Sequence, residues 1–188
     1  ILTIGYEKFF NYKQLSDKDF YHYYDDKFRE EFSELHDDHI YDVWEKLDGT
    51  FLTLGLDDNR FVAATSASTM TEFSKNAQKY FEAHPKADEI KKFIRDENMC
   101  LFFEYTSPDN QIIIPYDKEE YTLIGARKKD INDHRIHFLS EDKLNALGLK
   151  SAKREQMTLD ELSEYQRTNR ETEGFVVQNE YGRLIKFK

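Results

Sequence analysis

"WEKLDGTF", residues 44–51, sets a lysine two positions before an aspartate and a glycine, with a β-rich run directly after. Alone, the pattern is weak. Asp48-Gly49 is ordinary turn chemistry, and a lysine beside a turn is most simply a solvated one. Its meaning depends on what surrounds it. "FLTLGL" (51–56) and "RFVAATS" (60–66) are β-rich runs joined by Asp57-Asp58-Asn59. This composition predicts a hairpin with Lys46 at its entrance.

Composition bounds the rest. A chain of 188 residues, 39% apolar and 34% charged, suits one globular domain with a real core. The net charge of −10 argues against a surface that is a nucleic-acid footprint throughout, but leaves room for a local basic groove. The acidity gathers in 16–42, where the expectation is a solvated helical face with its aromatics turned inward. Cys100 is the only cysteine, which excludes an internal disulfide; in "NMCLFFEY" it reads as a buried structural thiol. No apolar run is long enough to span a bilayer and no signal peptide is visible, so a cytoplasmic protein with no membrane partner is expected. With seven glycines and no phosphate-loop or dinucleotide fingerprint, phosphate binding would rest on lysines. His134 and His137 in "DHRIH" sit in a β pattern and make a poor zinc site. The first methionine is Met70, so Ile1 is not an ordinary translation start; the expectation is a fragment lacking N-terminal residues and a C-terminal domain.

Further along, "TEFSKNAQKYFEAH" (71–84) predicts a helix with Phe73, Ala77, Tyr80 and Phe81 on one face, stopped by Pro85. Residues 86–99 repeat the pattern with Ala87, Ile90, Phe93 and Ile94. The period then changes, and 100–107, 111–116, 121–127 and 135–140 read as strands, with "SPDN" (107–110) as a turn. Ser140 caps a short helix to 147, Thr158 and Glu161 form a capping box for 158–168, and 174–188 reads as a second hairpin. Mixed runs without strict βαβ alternation indicate α+β with antiparallel sheets flanked by helices.

Five separated pieces carry the candidate chemistry: "YEKFFNY" (6–12), "EKLDG" (45–49), "FFEYTSPDN" (102–110), "EGFVV" (173–177) and "KFK" (186–188). Each is bland alone. Glu104 in an apolar strand usually lies on a solvated face, and "KFK" is an alternating strand whose lysines face water. In this order, over nearly the whole chain from Tyr6 to Lys188, they resemble the covalent nucleotidyltransferases, and within them the phage-type RNA ligase 1 family. The resemblance implies a nucleotidyltransferase (ATP-grasp-like) domain over 1–188. It also implies an ATP-dependent RNA ligase with a lysyl-AMP intermediate, acting on RNA with 5′-phosphate and 3′-hydroxyl ends. DNA ligases and mRNA capping guanylyltransferases are the neighbouring alternatives. A nucleotide- or RNA-binding module without turnover is the alternative of another class. It draws on "VAATSAS" (62–68), where the family's best-known members carry lysines.

The chemistry explains these residue types. An amine attacks the α-phosphorus of ATP only when unprotonated, and a free lysine, with a pKa near ~10.4, is almost wholly charged at pH 7. Neighbouring cations disfavour that charge. Lys186 and Lys188, two apart on a strand, leave one face together and suit a phosphate whose charge develops in the transition state. The resemblance assigns Lys46 as nucleophile, with Lys186, Lys188 and Lys8 near the phosphates. Asp48, Glu104 and Glu173 are assigned to the ribose or to the water ligands of Mg²⁺ or Mn²⁺, as suits an ion that keeps most of its waters. Glu45 is assigned to the adenine amino edge. Phe10 and Val176 would sandwich the base, and Gly49 and Gly174 line the ATP site.

Overall fold

The structure is a computed structural model describing residues 5, 10–11, 35–36, 39–66, 68–110, 113–130, 132–133, 135–168 and 172–187. Lys8, Lys188, His134 and most of the acidic stretch 16–42 lie outside the described residues, as does the side chain of Phe10. In chain order the strands are β1 (Phe10–Asn11), β2 (Tyr41–Glu45), β3 (Thr50–Asp57), β4 (Arg60–Ala64), β5 (Met99–Thr106), β6 (Glu120–Lys128), β7 (Arg154–Met157), β8 (Phe175–Gln178) and β9 (Leu184–Phe187). The helices are α1 (Glu72–Glu82), α2 (Ala87–Asp96), α3 (Glu141–Leu147) and α4 (Leu159–Thr168). The fold class is α+β as expected. Every strand pair is antiparallel except β1 with β9.

The chain divides into two compact units, one of residues 1–6 and 48–152 and the other of residues 7–47 and 153–188. The first holds a four-stranded sheet in the order β4-β3-β5-β6. Period-two alternation sends Leu52, Leu54, Leu101, Phe103 and Leu123 to one face, where Ala77 and Phe81 of α1 and Ile90 and Ile94 of α2 meet them. Full burial of each such aliphatic or aromatic side chain is worth about 1.5–3 kcal/mol. Cys100 is fully buried, as its surroundings predicted. Thr71 caps α1 by accepting from Ser74 N, and Ser140 caps α3 by accepting from Lys143 N.

The second unit holds a five-stranded sheet in the order β1-β9-β8-β2-β7. Tyr41, Val43, Phe175, Val177, Ile185 and Phe187 form its core with Leu159 and Leu162 of α4. The α4 capping box is reciprocal: Thr158 N donates to Glu161 Oε2 at 2.8 Å, and Glu161 N donates to Thr158 Oγ1 at 3.3 Å.

Two expected strands are absent from the described residues. Residues 113–116 join no sheet; the backbone N–H groups of Ile113 and Ile114 go to Asp48 instead of a ladder, and Pro115 has no N–H to offer one. Of 135–140 only His137 pairs, in a single bridge to Ala126. Conversely, Tyr41 and Asp42, read as the end of a helical face, belong to β2.

One surface pair on the first unit gives a pH prediction. Burial opposes the charge of Glu82, but the hydrogen bonds from Lys91 Nζ (2.6 Å) and Phe61 N (2.8 Å) outweigh it and hold its pKa below the usual 4.5. A lowered folded pKa stabilises above the unfolded value and is lost as pH falls through the folded one. Urea midpoints should therefore favour the unmodified chain over Glu82→Gln at neutral pH. The gap should close in acid as the pH falls below 4.5 and through the lowered folded pKa.

Candidate active site

The lysine of "EKLDG" sits where β2 ends. Glu45 pairs with Phe175 across β2 and β8, and the next rung is Lys46 N donating to Gly174 O at 2.9 Å. Gly174 has φ of +140°, a conformation that a side chain would strain. With the backbone so fixed, Lys46 Nζ meets Glu173 Oε2 in an ion pair whose side chains are 22% and 8% exposed. Sequence had offered both residues as candidates; the structure brings them together from 127 positions apart.

The same sheet presents a second face, opposite its core. Its register lines up Asn11, Lys186, Val176, Trp44 and Arg154 as one cross-strand row. Two expected site residues, Lys186 and Val176, therefore share a face with Trp44, and Lys186 stays half-buried there. Trp44 and Asn11 were missed as site candidates; only the register reveals them. By the same alternation Glu45 lies on the other side of β2, with Val43 and Phe175. Phe10 is placed by its backbone alone, opposite Ile185 in β9.

Asp48 and Gly49 belong to the other unit. Asp48 is 4% exposed. Its Oδ2 accepts from Ile114 N at 2.8 Å and also from Ile113 N, and its own N–H donates to Tyr116 Oη at 2.9 Å. Gly49 N donates to Glu104 Oε1 at 3.0 Å. Glu104 stands opposite Phe51 and Thr122, on the sheet face away from the helices, so it takes no place in the helix-packed core. Asn110, at the end of the 3₁₀ turn of "SPDN", donates to Thr50 Oγ1 at 3.0 Å and ties that loop to the start of β3. Tyr116 and Asn110 were also missed: a turn residue and a tyrosine carry no signal of their target in sequence.

The buried bonds of Asp48 make a stability prediction. Asp48→Ala leaves two backbone donors without that acceptor, which costs about 1–3 kcal/mol. Asp48→Asn keeps one acceptor oxygen and should lose less. Denaturant midpoints of the two variants provide the check; equal stability of all three chains would remove the structural role.

The unit with the five-stranded sheet holds a lysine amine against a carboxylate and a second lysine on its other face; the other unit, taken by itself, holds two carboxylates each clasped by backbone N–H. An amine held beside a carboxylate that can take its proton suits attack on a phosphate. The comparisons with known proteins agree. A family model described as RNA ligase matches residues 1–188. A Thermovibrio ammonificans protein described as a candidate RNA ligase is 27% identical over 139 residues, 72% of this chain and 35% of that protein. An archaeal ATP-dependent RNA ligase superposes with a TM-score of 0.66 at 17% identity, covering 97% of this chain and 47% of that one. A mutant of the Naegleria gruberi RNA ligase, solved with ATP and Mn, gives 0.64 at 16% identity, with 97% and 55% covered. At these identities the structural likenesses speak for the fold. The chain spans about a third of the length of the curated relative and about half that of the solved ligases. By the family match over its whole length, this chain belongs to the RNA ligase family, of the phage RNA ligase 1 type.

Proposed function

We propose that residues 1–188 form the nucleotidyltransferase domain of an ATP-dependent RNA ligase, with Lys46 as nucleophile. The observation that carries this reading is the placement of Lys46: backbone fixed to Gly174 O, amine held on Glu173. The Lys46 proton passes to Glu173 Oε2, which it already contacts. The freed Nζ attacks the α-phosphorus of ATP; a P–N bond forms, the bond to pyrophosphate breaks, and the nitrogen sheds its second proton to solvent. An oxygen of an RNA 5′-phosphate then attacks the same phosphorus; the nitrogen regains a proton from Glu173, the P–N bond breaks and the lysine amine is released. Finally a 3′-hydroxyl oxygen attacks the activated 5′-phosphorus, its proton leaves to solvent, and AMP departs.

Lys186 neutralises the α-phosphate as charge develops on its oxygens, and Val176, on the same face, packs against the adenine. Lys8, Lys188 and Phe10 are assigned to phosphates and base by resemblance alone. Glu45 faces away from the row that holds Val176, so its approach to the adenine is confined to the strand end. By resemblance alone Asp48, Glu104 and Glu173 are assigned to the water ligands of a divalent ion, Mg²⁺ or Mn²⁺. Each carboxylate already accepts a protein hydrogen, and the described residues contain no group of three His, Cys, Asp or Glu suited to direct ligation. Such an ion would supply neutralising charge to the phosphates. ATP and RNA as substrates fit a cytoplasmic location. No helix among the described residues is long and apolar enough to cross a membrane.

Incubation with α-labelled ATP or GTP, with and without Mg²⁺, followed by a denaturing gel, tests this. Label should stay on the protein with ATP and metal only. Unlabelled protein that still binds ATP would make the chain a nucleotide-binding module, and GTP labelling would make it a guanylyltransferase.

A further inference from the structure

Helix α1 does not bury all of the face its sequence suggests. Ala77 and Phe81 are in the core, but Phe73 is 37% and Tyr80 46% exposed. Neither ring is loose. Phe73 lies 5.8 Å from the ring of Tyr105, and Tyr80 lies 4.5 Å from that of Tyr121, tilted by 32°. Each ring is thus propped by a neighbour while part of it meets solvent. At about 100° per residue, Lys75, Lys79, Asn76, Tyr80 and Phe73 follow one another around the exposed side of this helix.

Lys75 and Lys79 face an open groove of about 750 Å³ whose other wall is the β3–β4 hairpin with Arg60. The groove's two carboxylates are already matched: Glu82 takes Phe61 N and Lys91 Nζ, and Asp57 lies 3.9 Å from Arg60. Lys75 and Lys79 make no ion pair among the described residues, so the uncompensated charge of the groove is positive in a chain whose net charge is −10. The groove lies on the β3–β4 flank of α1 and the rings on its β5–β6 flank; a positive groove that tracks a backbone, with fixed rings across the same exposed helix to accept bases, is what single-stranded nucleic acid requires.

We propose that the exposed side of α1, with the β3–β4 hairpin, holds an unpaired RNA strand: phosphates on Lys75 and Lys79, and bases on Tyr80 and Phe73. This rests on the reading of the chain as an enzyme acting on RNA. It assigns the local basic groove that overall acidity left open, and it uses no residue given a part in ATP chemistry.

Fluorescence anisotropy of a labelled single-stranded RNA oligonucleotide, measured across salt concentrations with the 188-residue chain, provides the test. Lys75→Ala/Lys79→Ala should flatten the slope of log affinity against log salt by about 1.4, two phosphates at about 0.7 each. Tyr80→Ala should weaken single-strand binding about five- to a hundredfold, spare a duplex of the same sequence, and be rescued by Tyr80→Phe. Unchanged slopes and affinities overturn the proposal, as does equal loss on duplex and single strand in Tyr80→Ala. Polyglutamate binding as tightly as RNA of equal charge, and lost in the same variants, overturns it in favour of an acidic protein. Covalent AMP labelling is read separately on each preparation. Variants that label normally yet bind RNA like the parent sink this proposal alone, whereas failure to label in the parent sinks the ligase reading alone.

Discussion

Lys46→Arg should leave a folded chain that takes no covalent AMP, a loss of at least about a thousandfold, as removal of a covalent nucleophile produces. Arginine preserves a cation against Glu173 and so preserves the ion pair that Lys46 makes at the end of β2. It stays protonated and cannot present a neutral nitrogen to phosphorus. Lys46→Ala should lose labelling as completely, but it is a less clean variant. It removes the cation facing a carboxylate whose side chain is only 8% exposed, and breaking one side of such a pair is costly. The pair of variants separates the two effects: Arg should match the parent in melting temperature, and Ala should fall below it. Labelling that survives in both would assign the nucleophile elsewhere. Glu173→Gln adds a third comparison, since it keeps a hydrogen-bond acceptor for Lys46 but not a carboxylate to take its proton.

The parts of this fold legible in the sequence are those whose partners are close in the chain. The β3–β4 hairpin announces itself through two β-rich runs and a turn at Asp57-Asp58-Asn59, and Asp58 indeed takes a positive φ there. Helices α1 and α2 follow from period and caps. The five-stranded sheet was much less legible, because its strands come from both ends of the chain. Residues 154–157, "REQM", have neither β-branched residues nor apolar alternation, yet pair with β2 throughout. Their strand character comes from the edge they complete. Ile113 and Ile114 fail in the opposite direction. β-branched residues suggested a strand, but a buried carboxylate claimed their N–H groups. Tertiary hydrogen bonding overrides propensity in both cases.

The candidate site divides the same way. Glu104 stood out because a carboxylate interrupts an apolar run, and it does lie off the core face. The contact of Lys46 with Glu173 joins residues far apart in sequence, and no local pattern encodes it; only the order of the five motifs hinted at it. Helical period puts Phe73 and Tyr80 on one face with Ala77 and Phe81, but it reports direction around a helix and not how far the neighbouring sheet reaches, and both rings stay part-exposed.

Gly49→Ala should be the most damaging small substitution in the first unit. The cause is space, not backbone freedom. An added Cβ at position 49 would stand 2.2 Å from the carbonyl oxygen of Tyr105 and 3.0 Å from Thr106 Cγ2. The first of these is backbone in β5, which is hydrogen-bonded to strands on both sides and cannot swing away as a side-chain tip would. Either β5 or the turn carrying Asp48 must move. Moving the turn stretches the bond from Gly49 N to Glu104 and the clasp of Asp48 on Ile113 and Ile114 together. Overpacking of this kind costs about 1–3 kcal/mol, and the strained hydrogen bonds add to it. For a chain of this length, 2–4 kcal/mol corresponds to a fall of roughly 4–16 °C in melting temperature. Gly5→Ala is the control, because a Cβ there meets nothing within 4 Å; its melting temperature should match the parent's. Covalent AMP labelling of Gly49→Ala should fall as well, even at a temperature where the variant is fully folded, because the shift displaces Asp48 and Glu104 themselves. A Gly49→Ala chain with parental stability and labelling would mean that β5 yields to the new methyl group, and that the close approach of turn and strand is not what requires glycine in "KLDG".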